Sequence, residues 1–310
     1  MIEVFGKGGI IARVIADSID AKGQRITTYE LEYQRMFHSE VMTHRALSKN
    51  SSSTRAIPVA RAIELVQQKP AMPIHWGQNN PGMSSKKELD ETRRDAAEGV
   101  WRACIESVIS HVKVLADPEG INGHKQWVGR WLETASFIKV VLTGTDFNNL
   151  WNLRRHPDAQ PEFLELANCM YDAREMSTPN LLKPGQWHLP YIDFVDGKYF
   201  SEGQEVDLTI ARKISASCCA QASYRKLDTS IEKAVKVFDM LHLGDESGEP
   251  AHASPTEHQA TPMDESNIPF NPNTWEPGVT HVRRDGSLWS GNLRGWVQFR
   301  QLIPNEAVWG

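Results

Sequence analysis

The stretch "GGIIARVIADSIDAKGQRITTYELEY", residues 8–33, determines the fold class. Residues 8–18 have the apolar content of a strand, and residues 25–33 alternate between polar and apolar side chains as a half-buried strand does. The "DAKG" segment (20–23) between them has the aspartate and glycine that favour a turn. The sequence therefore predicts a β-hairpin near the N-terminus.

The rest of the chain is dominated by helical periodicity. Helices are predicted at about 36–48, 58–68, 86–115, 124–142, 161–174, 206–224, 229–242 and 292–303. The serine-rich run that follows residue 48 is predicted to be a loop. Many helices beside few strands indicate an α+β fold, helix-rich around a small, mostly antiparallel sheet, with mixed α/β as the alternative.

Composition narrows the class of protein. The chain has 310 residues, 40% hydrophobic and 24% charged, with a formal net charge of −5. It has no apolar run of the roughly 18 residues that a membrane span needs. Its N-terminus lacks the pattern of a signal peptide. The mild acidity argues against a nucleic-acid binder. Its four cysteines include no CxxC pair, so reduced thiols in a cytoplasm are expected.

Two polar segments could carry chemistry. "HRALSKNSSSTR" (44–55) combines arginines, hydroxyls and backbone N–H groups that could hold a phosphate and the polar rim of a heterocycle; the alternative is a solvated loop. In "NNLWNLRRHPDAQPE" (148–162), polar residues fall at helical spacings, or the segment is a charged helix end stopped by Pro157. "AHASPTEHQATP" (251–262) has two histidines, but their spacing matches no metal motif, so no metal is expected.

These segments together resemble flavin-dependent thymidylate synthase, the ThyX family. Thr43-His44-Arg45, then seven residues, then Ser53 with Arg55 two positions on, is similar to the family's R-H-R…S signature. Four further pieces resemble other family segments: "QWVGRWLE" (126–133), residues 148–162, "AQASY" (220–224) and "HASPTEH" (252–258). The last two precede the signature in the common family and follow it here. The chain therefore looks like a permuted, phage-type member.

The resemblance implies an activity as well as a fold. It implies a single ThyX-like domain over residues 1–310, with a polar linker at about 243–251. The implied enzyme is a methyltransferase that reductively methylates dUMP at C5, with FAD as cofactor and methylenetetrahydrofolate and NADPH as co-substrates. It further implies a homotetramer without membrane or nucleic-acid partners.

The same resemblance implies roles for particular residues. Those around dUMP would be Glu40, Ser52, Ser53, Arg55, Arg130 and Arg154. Those that contact FAD would be His44, Arg45, Asn149, Ser223, Ser254 and Glu257. The residues that act in the reaction would be Ser53, which orients the base, Arg154, which stabilises charge on the pyrimidine edge, and His252, near flavin and folate.

The chain also departs from the family pattern. Thr43 replaces the first arginine of the signature, Glu40 stands where glutamine is usual, and Thr143 and Thr145 replace two flavin contacts. These changes leave other functions open: a hydroxymethylase, a UMP methylase, a synthase without activity, or a non-catalytic nucleic-acid binder.

Overall fold

The computed structural model describes residues 2–223, 227–244, 249–264 and 271–307. The described residues form one central sheet, three small sheets and eight α-helices. The helices are α1 (His38–Met42), α2 (Val59–Gln68), α3 (Glu91–Ala116), α4 (Lys125–Val128), α5 (Asn148–Arg154), α6 (Pro161–Glu175), α7 (Leu208–Ala220) and α8 (Ile231–Met240). An α+β fold is confirmed.

The central sheet takes five of its six strands from the first half of the chain. Its strands are β1 (Ile2–Phe5), β2 (Ile11–Ile19), β3 (Arg25–Gln34), β4 (Ser48–Ser51), β5 (Phe137–Gly144) and β6 (Asn180–Leu181). The order β1-β2-β3-β5-β4 is antiparallel throughout, and β6 pairs in parallel with β2. The predicted hairpin is therefore confirmed as β2 and β3. Asp20 accepts hydrogen bonds from the backbone N–H groups of Lys22 and Gln24, and Gly23 takes the left-handed conformation (φ +85°) that closes the turn.

Eight short strands lie in the second half of the chain. They are β7 (Asp193–Val195), β8 (Lys198–Ser201), β9 (Gln204–Val206), β10 (Ala260–Pro262), β11 (His281–Val282), β12 (Leu288–Ser290), β13 (Leu293–Arg294) and β14 (Trp296–Gln298). They form two three-stranded sheets, β7-β8-β9 and β11-β12-β13, and the pair β10-β14. No helix among the described residues is long and apolar enough to cross a membrane.

One face of the central sheet is apolar. Side chains alternate between faces along a strand, and on β3 the apolar set is Tyr29, Leu31 and Tyr33, all fully buried. Helices α5 and α6 cover this face, and α6 contributes Phe163 and Leu166. Residues between Ile2 and Ala173 therefore make a core of their own. A second core packs α2 and α3 against residues 128–135.

The opposite face of the sheet is polar and is covered by the second half of the chain. A continuous row of buried hydrogen bonds joins Ser18 to His188 (2.9 Å), His188 to Thr28 (2.8 Å), Thr28 to Thr143 (2.7 Å) and Thr143 to His258 (2.8 Å). Burial lowers the pKa of both imidazoles to about 3, so both rings are neutral. We call these five residues the buried polar chain.

Three predicted elements were wrong. The helix at 124–142 is instead α4, a 3₁₀ segment and β5, because "FIKVVLTG" (137–144) pairs with strands on both sides. The helix at 36–48 is only α1, and the serine run begins with β4 rather than being all loop. The helix at 292–303 is β13, β14 and one 3₁₀ turn. In a short apolar segment, the spacing of apolar residues does not distinguish a buried strand from a helix.

Candidate functional site

Three of the predicted site residues meet in one cluster. Arg154, at the end of α5, donates from Nε to His44 Nε2 (3.0 Å) and from Nη1 to Glu40 Oε2 (3.3 Å). Its guanidinium also lies over the ring of Phe163, 4.6 Å from the centroid. We call Glu40, His44, Arg154 and Phe163 the Arg154 cluster. Two hydrogen bonds and a ring contact fix a cation whose side chain is only 21% exposed.

The hydrogen bond from Arg154 determines the state of His44. Because Nε2 accepts, the proton of the neutral ring is on Nδ1. Burial, and then the charges of Arg154 and Lys49, lower the pKa of His44 to about 4. Within the described part of the chain, neither His44 Nδ1 nor Arg154 Nη2 has a hydrogen-bond partner. The cluster therefore offers two N–H donors to a ligand.

Lys49 links this cluster to the second half of the chain. It lies on β4, and its Nζ donates to the backbone carbonyls of His44 (2.6 Å) and Leu47 (2.9 Å). Burial lowers its pKa to about 8, and the carboxylate of Glu257 lies close enough to oppose that shift. Glu257 itself accepts from Arg300 Nη1 (2.6 Å). Residues more than 200 positions apart in sequence therefore share one electrostatic environment.

A second group of predicted residues lies on the loop after β4. Thr54 Oγ1 (2.8 Å) and Arg130 Nη1 (3.0 Å) both donate to Glu133 Oε1, which ties the loop to residues 129–135. Ser53 Oγ accepts from the backbone N–H of Arg55 (3.3 Å). We call Ser52–Arg55 together with Arg130 the arginine loop. Arg55 and Arg130 are exposed, so their charges face solvent.

Arg35 supports the arginine loop from beneath. Its Nη2 donates to the carbonyl of Ser52 (2.9 Å), while its buried Nε has no partner in the described residues. Burial lowers its pKa, which the nearby Glu133 opposes and Arg130 reinforces. Ser52 is buried, and its hydroxyl accepts from the backbone N–H of Lys139 (3.1 Å). With three arginines beside one carboxylate, the loop is a net positive surface suited to an anion.

Other predicted site residues make no contact with these two groups in the described structure. Arg45, Asn149, His252 and Ser254 are exposed. The side chain of Ser223 lies outside the described residues, as do residues 245–248 of the predicted linker. The roles given to all of these residues stay predictions.

The departures from the family pattern have structural partners here. Thr143 belongs to the buried polar chain, and Thr145 Oγ1 accepts from the backbone N–H of Arg294 (2.9 Å). Thr43 donates to the carbonyl of Glu40 (2.6 Å), which closes α1. Thr43 and Thr145 therefore bond to the backbone, and Thr143 bonds to buried side chains.

Several residues that sequence reasoning missed take part in the two groups. They are Arg35, Lys49, Glu133, Phe163 and Arg300. Lys49 lies inside the polar run 44–55 and could have been found there. Arg35, Phe163 and Arg300 lie in apolar or helical patterns, and no local signal marks them.

Fold and site together define a class: an α+β protein with a two-part cationic site at the β4 edge of its sheet, suited to an anionic ligand. Among solved structures, the chain is similar to a UMP/dUMP methylase PolB from Streptomyces cacaoi bound with 5-Br UMP. The identity is 16% and the TM-score 0.39, over 48% of this chain and 68% of that one.

Two structures of thymidylate synthase X from Helicobacter pylori, both with FAD and dUMP, are also similar. Each is 18% identical over 48% of this chain and 67% of its own, with TM-scores of 0.33 and 0.32. Proteins of the family that the motifs indicated are therefore among the structural neighbours of this chain. No family model and no curated protein matches the sequence.

Proposed function

We propose that this chain is an FAD-dependent thymidylate synthase of the ThyX kind, which methylates dUMP at C5. The observation that carries the proposal is the convergence of the resembling segments. Glu40 and His44 contact Arg154, the loop that carries Arg55 lies beside Arg130, and Lys49 joins His44 to the environment of Glu257. These segments are far apart in sequence, and their convergence at one edge of the sheet supports the proposal.

The arginine loop would bind the 5′-phosphate of the nucleotide. Arg55 and Arg130 are both exposed, so their donors are available to an anion. A charge-assisted hydrogen bond to a phosphate contributes about 1.5–3 kcal/mol. Glu133 would keep Arg130 oriented before the nucleotide arrives, since it already accepts a hydrogen bond from that side chain.

The Arg154 cluster would act on the pyrimidine. Methylation at C5 requires electron density on a weakly nucleophilic carbon, and negative charge then develops along the N3–O4 edge. A guanidinium fixed by Glu40, His44 and Phe163 does not need to reorganise when that charge develops, so it can lower the energy of the transition state. Ser53 would orient the base.

The donors present fit a flavin. His44 offers Nδ1–H, and exposed Arg45 and partly buried Lys49 add positive charge nearby. His44, Arg45, Asn149, Ser223, Ser254 and Glu257 are the residues proposed to hold it. When bound and reduced, FAD would supply the hydride. Methylenetetrahydrofolate as one-carbon donor, NADPH as reductant, a homo-oligomeric assembly and a cytoplasmic location belong to the same proposal.

The test combines two measurements on the purified protein. Flavin released by denaturation is identified by absorbance, and tritium release from C5-labelled dUMP is followed with methylenetetrahydrofolate and NADPH. We expect bound FAD and folate-dependent release. A colourless protein that releases no tritium with added FAD would contradict the proposal.

Glu40 gives a reason to include a second nucleotide. Its carboxylate contacts Arg154, where an amide is usual in the resembling family, so the contacts to the pyrimidine differ. The masses of the products from dUMP and UMP would distinguish a thymidylate synthase from a UMP methylase or a hydroxymethylase.

A further inference from the structure

The long helix α3 buries only one side. Ile105, Ile109 and Val112 pack into the second core, whereas Val100 and Val114 are 65% and 60% exposed. The exposed residues Val100, Ala103, Ser107, Ser110 and Val114 alternate at spacings of three and four. This is the spacing of a seam between two paired helices. We call these five residues the α3 seam.

An apolar groove borders the seam. Its volume is about 620 Å³, and it lies between α3 and the exposed rings of Trp127 and Trp131. Two exposed tryptophans beside the exposed Val114 form the kind of apolar patch that marks an interaction surface. The seam residues between the valines are small, so another helix backbone could approach closely.

One of the two hydroxyl groups in the seam already has a hydrogen-bond partner. Ser110 Oγ donates to the carbonyl of Ser107 within the same helix (2.8 Å). That hydroxyl therefore has a partner already and would lose little when water is removed from the surface.

We propose that the α3 seam binds the α3 seam of a second copy of this chain, antiparallel and related by a two-fold axis. In an isologous contact, residue i faces residue j of the partner and j faces i. If Ser107 faces the partner's Ser110, then Ala103 faces the partner's Val114. In this register small residues meet in the middle and Val114 lies toward each end, while Val100 lies outside the paired seam, opposite the partner's Asp117.

The charges beside the seam favour this pairing. In the same register, Glu106 faces the partner's Lys113, and the two-fold axis generates this ion pair twice. Both residues are exposed, and neither has an ion-pair partner among the described residues of its own chain. In a parallel pairing, a charged residue beside the seam faces the residue five positions further along the partner helix. Glu106 would then face the partner's His111, and Lys113 would not face an acidic residue. The surface is therefore self-complementary in one orientation.

This inference names a surface and an orientation, and its test needs no enzymatic activity. The mass of the full chain is measured by analytical ultracentrifugation over a dilution series. The proposal requires an assembly of two copies, about 70 kDa from a chain of 35.0 kDa, or an even multiple, and the charge reversals below decide whether the seam forms it. A monomer at micromolar concentration would overturn the proposal. That outcome would also be found if the seam binds a different protein instead of a second copy.

Charge reversal then tests the register. Glu106→Lys alone and Lys113→Glu alone each place like charges opposite one another twice, and each should weaken association roughly 10-fold or more. The double variant E106K/K113E restores both pairs and should restore association. Residues 106 and 113 are two turns apart on one helix, so the rescue cannot arise within a single chain.

Arg102→Glu is the matched control, since Arg102 is exposed on α3 outside the seam. It should leave the dissociation constant within about 3-fold of the wild-type value. Circular dichroism should show the same helix content in all variants, because each changed side chain is exposed. An assembly that is insensitive to both single reversals, or a double variant without rescue, would overturn the proposal.

Discussion

The Arg154 cluster and the arginine loop hold their cations in different ways. Arg154 is 21% exposed and is fixed by His44, Glu40 and Phe163. The side chain of Arg130 is 56% exposed and forms an ion pair with Glu133. A fixed, partly buried cation can stabilise charge that develops in a reaction, whereas an exposed cation mainly attracts and holds an anion. The difference is the reason that we propose catalysis for the Arg154 cluster and binding for the arginine loop.

The largest effect is expected at Arg154. Arg154→Gln keeps a hydrogen-bond donor near Glu40 but removes the fixed charge, so turnover at saturating dUMP should fall about 100- to 1000-fold. Steady-state kinetics by tritium release would measure it.

Arg155→Gln is the control. Arg155 lies over the ring of Tyr171 and donates to Asn168, both on α6 and outside the Arg154 cluster. Its turnover should stay within a few-fold of the wild-type value. If Arg154→Gln retained full turnover, Arg154 would have no catalytic role, and the proposed difference between the two groups would be wrong.

The next largest effect is expected in the arginine loop. Arg55→Ala or Arg130→Ala should weaken dUMP binding roughly 10- to 150-fold, the loss of one charge-assisted hydrogen bond. Turnover at saturating nucleotide should change much less. Isothermal calorimetry with dUMP would measure the affinity.

Arg61→Ala serves as control, since Arg61 is on α2 and pairs with Glu64. It should bind dUMP like the wild-type protein. Unchanged affinity in both loop variants would remove the phosphate-binding role.

The pKa of His44 should respond to a change in the Arg154 cluster but not to a change in the arginine loop. Its pKa of about 4 is below the unfolded value of about 6.5, so the stability from the neutral ring is complete above pH 6.5 and is lost as the pH falls toward 4. Arg154→Gln should raise this pKa only part of the way back toward the unfolded value, since burial is the larger cause. Arg55→Ala should leave it unchanged. NMR titration of the imidazole would measure both values, and a wild-type pKa near 6.5 would contradict the described cluster.

The smallest effect is expected from salt. Raising the ionic strength from about 0.05 M to 0.5 M shortens the screening length from roughly 14 to 4 Å, so dUMP affinity should fall several-fold. The dependence should be weaker in Arg55→Ala and the same in Arg154→Gln. Equal slopes in both variants would indicate that the two groups attract the nucleotide alike.

The sequence predicted the parts of this molecule that local patterns encode. The hairpin followed from alternation and a turn, and α2, α3, α6, α7 and α8 followed from their period. The contact between His44 and Arg154 could be expected only through the resemblance, because 110 residues separate them.

The elements that were predicted wrongly depend on pairing with distant parts of the chain. Residues 137–144 are a strand because β3 and β4 lie on either side, which nothing within the segment records. Likewise, Arg35 is held beneath the arginine loop by the carbonyl of Ser52, 17 residues further along the chain. Such residues acquire a role only once the chain has folded.

The buried polar chain has a consequence for where its protons lie. Each hydroxyl and each neutral imidazole in it has one proton to donate. Reversing the direction of one hydrogen bond therefore requires reversing all the others in the row. His258 Nε2 has no described partner, and a buried N–H without an acceptor is rarer than an empty lone pair. The ring proton of His258 is therefore on Nδ1, and that of His188 is on the nitrogen facing Ser18. The tautomers of two imidazoles on opposite sides of a threonine pair are thus locked to one another, and replacing either threonine by valine would uncouple them.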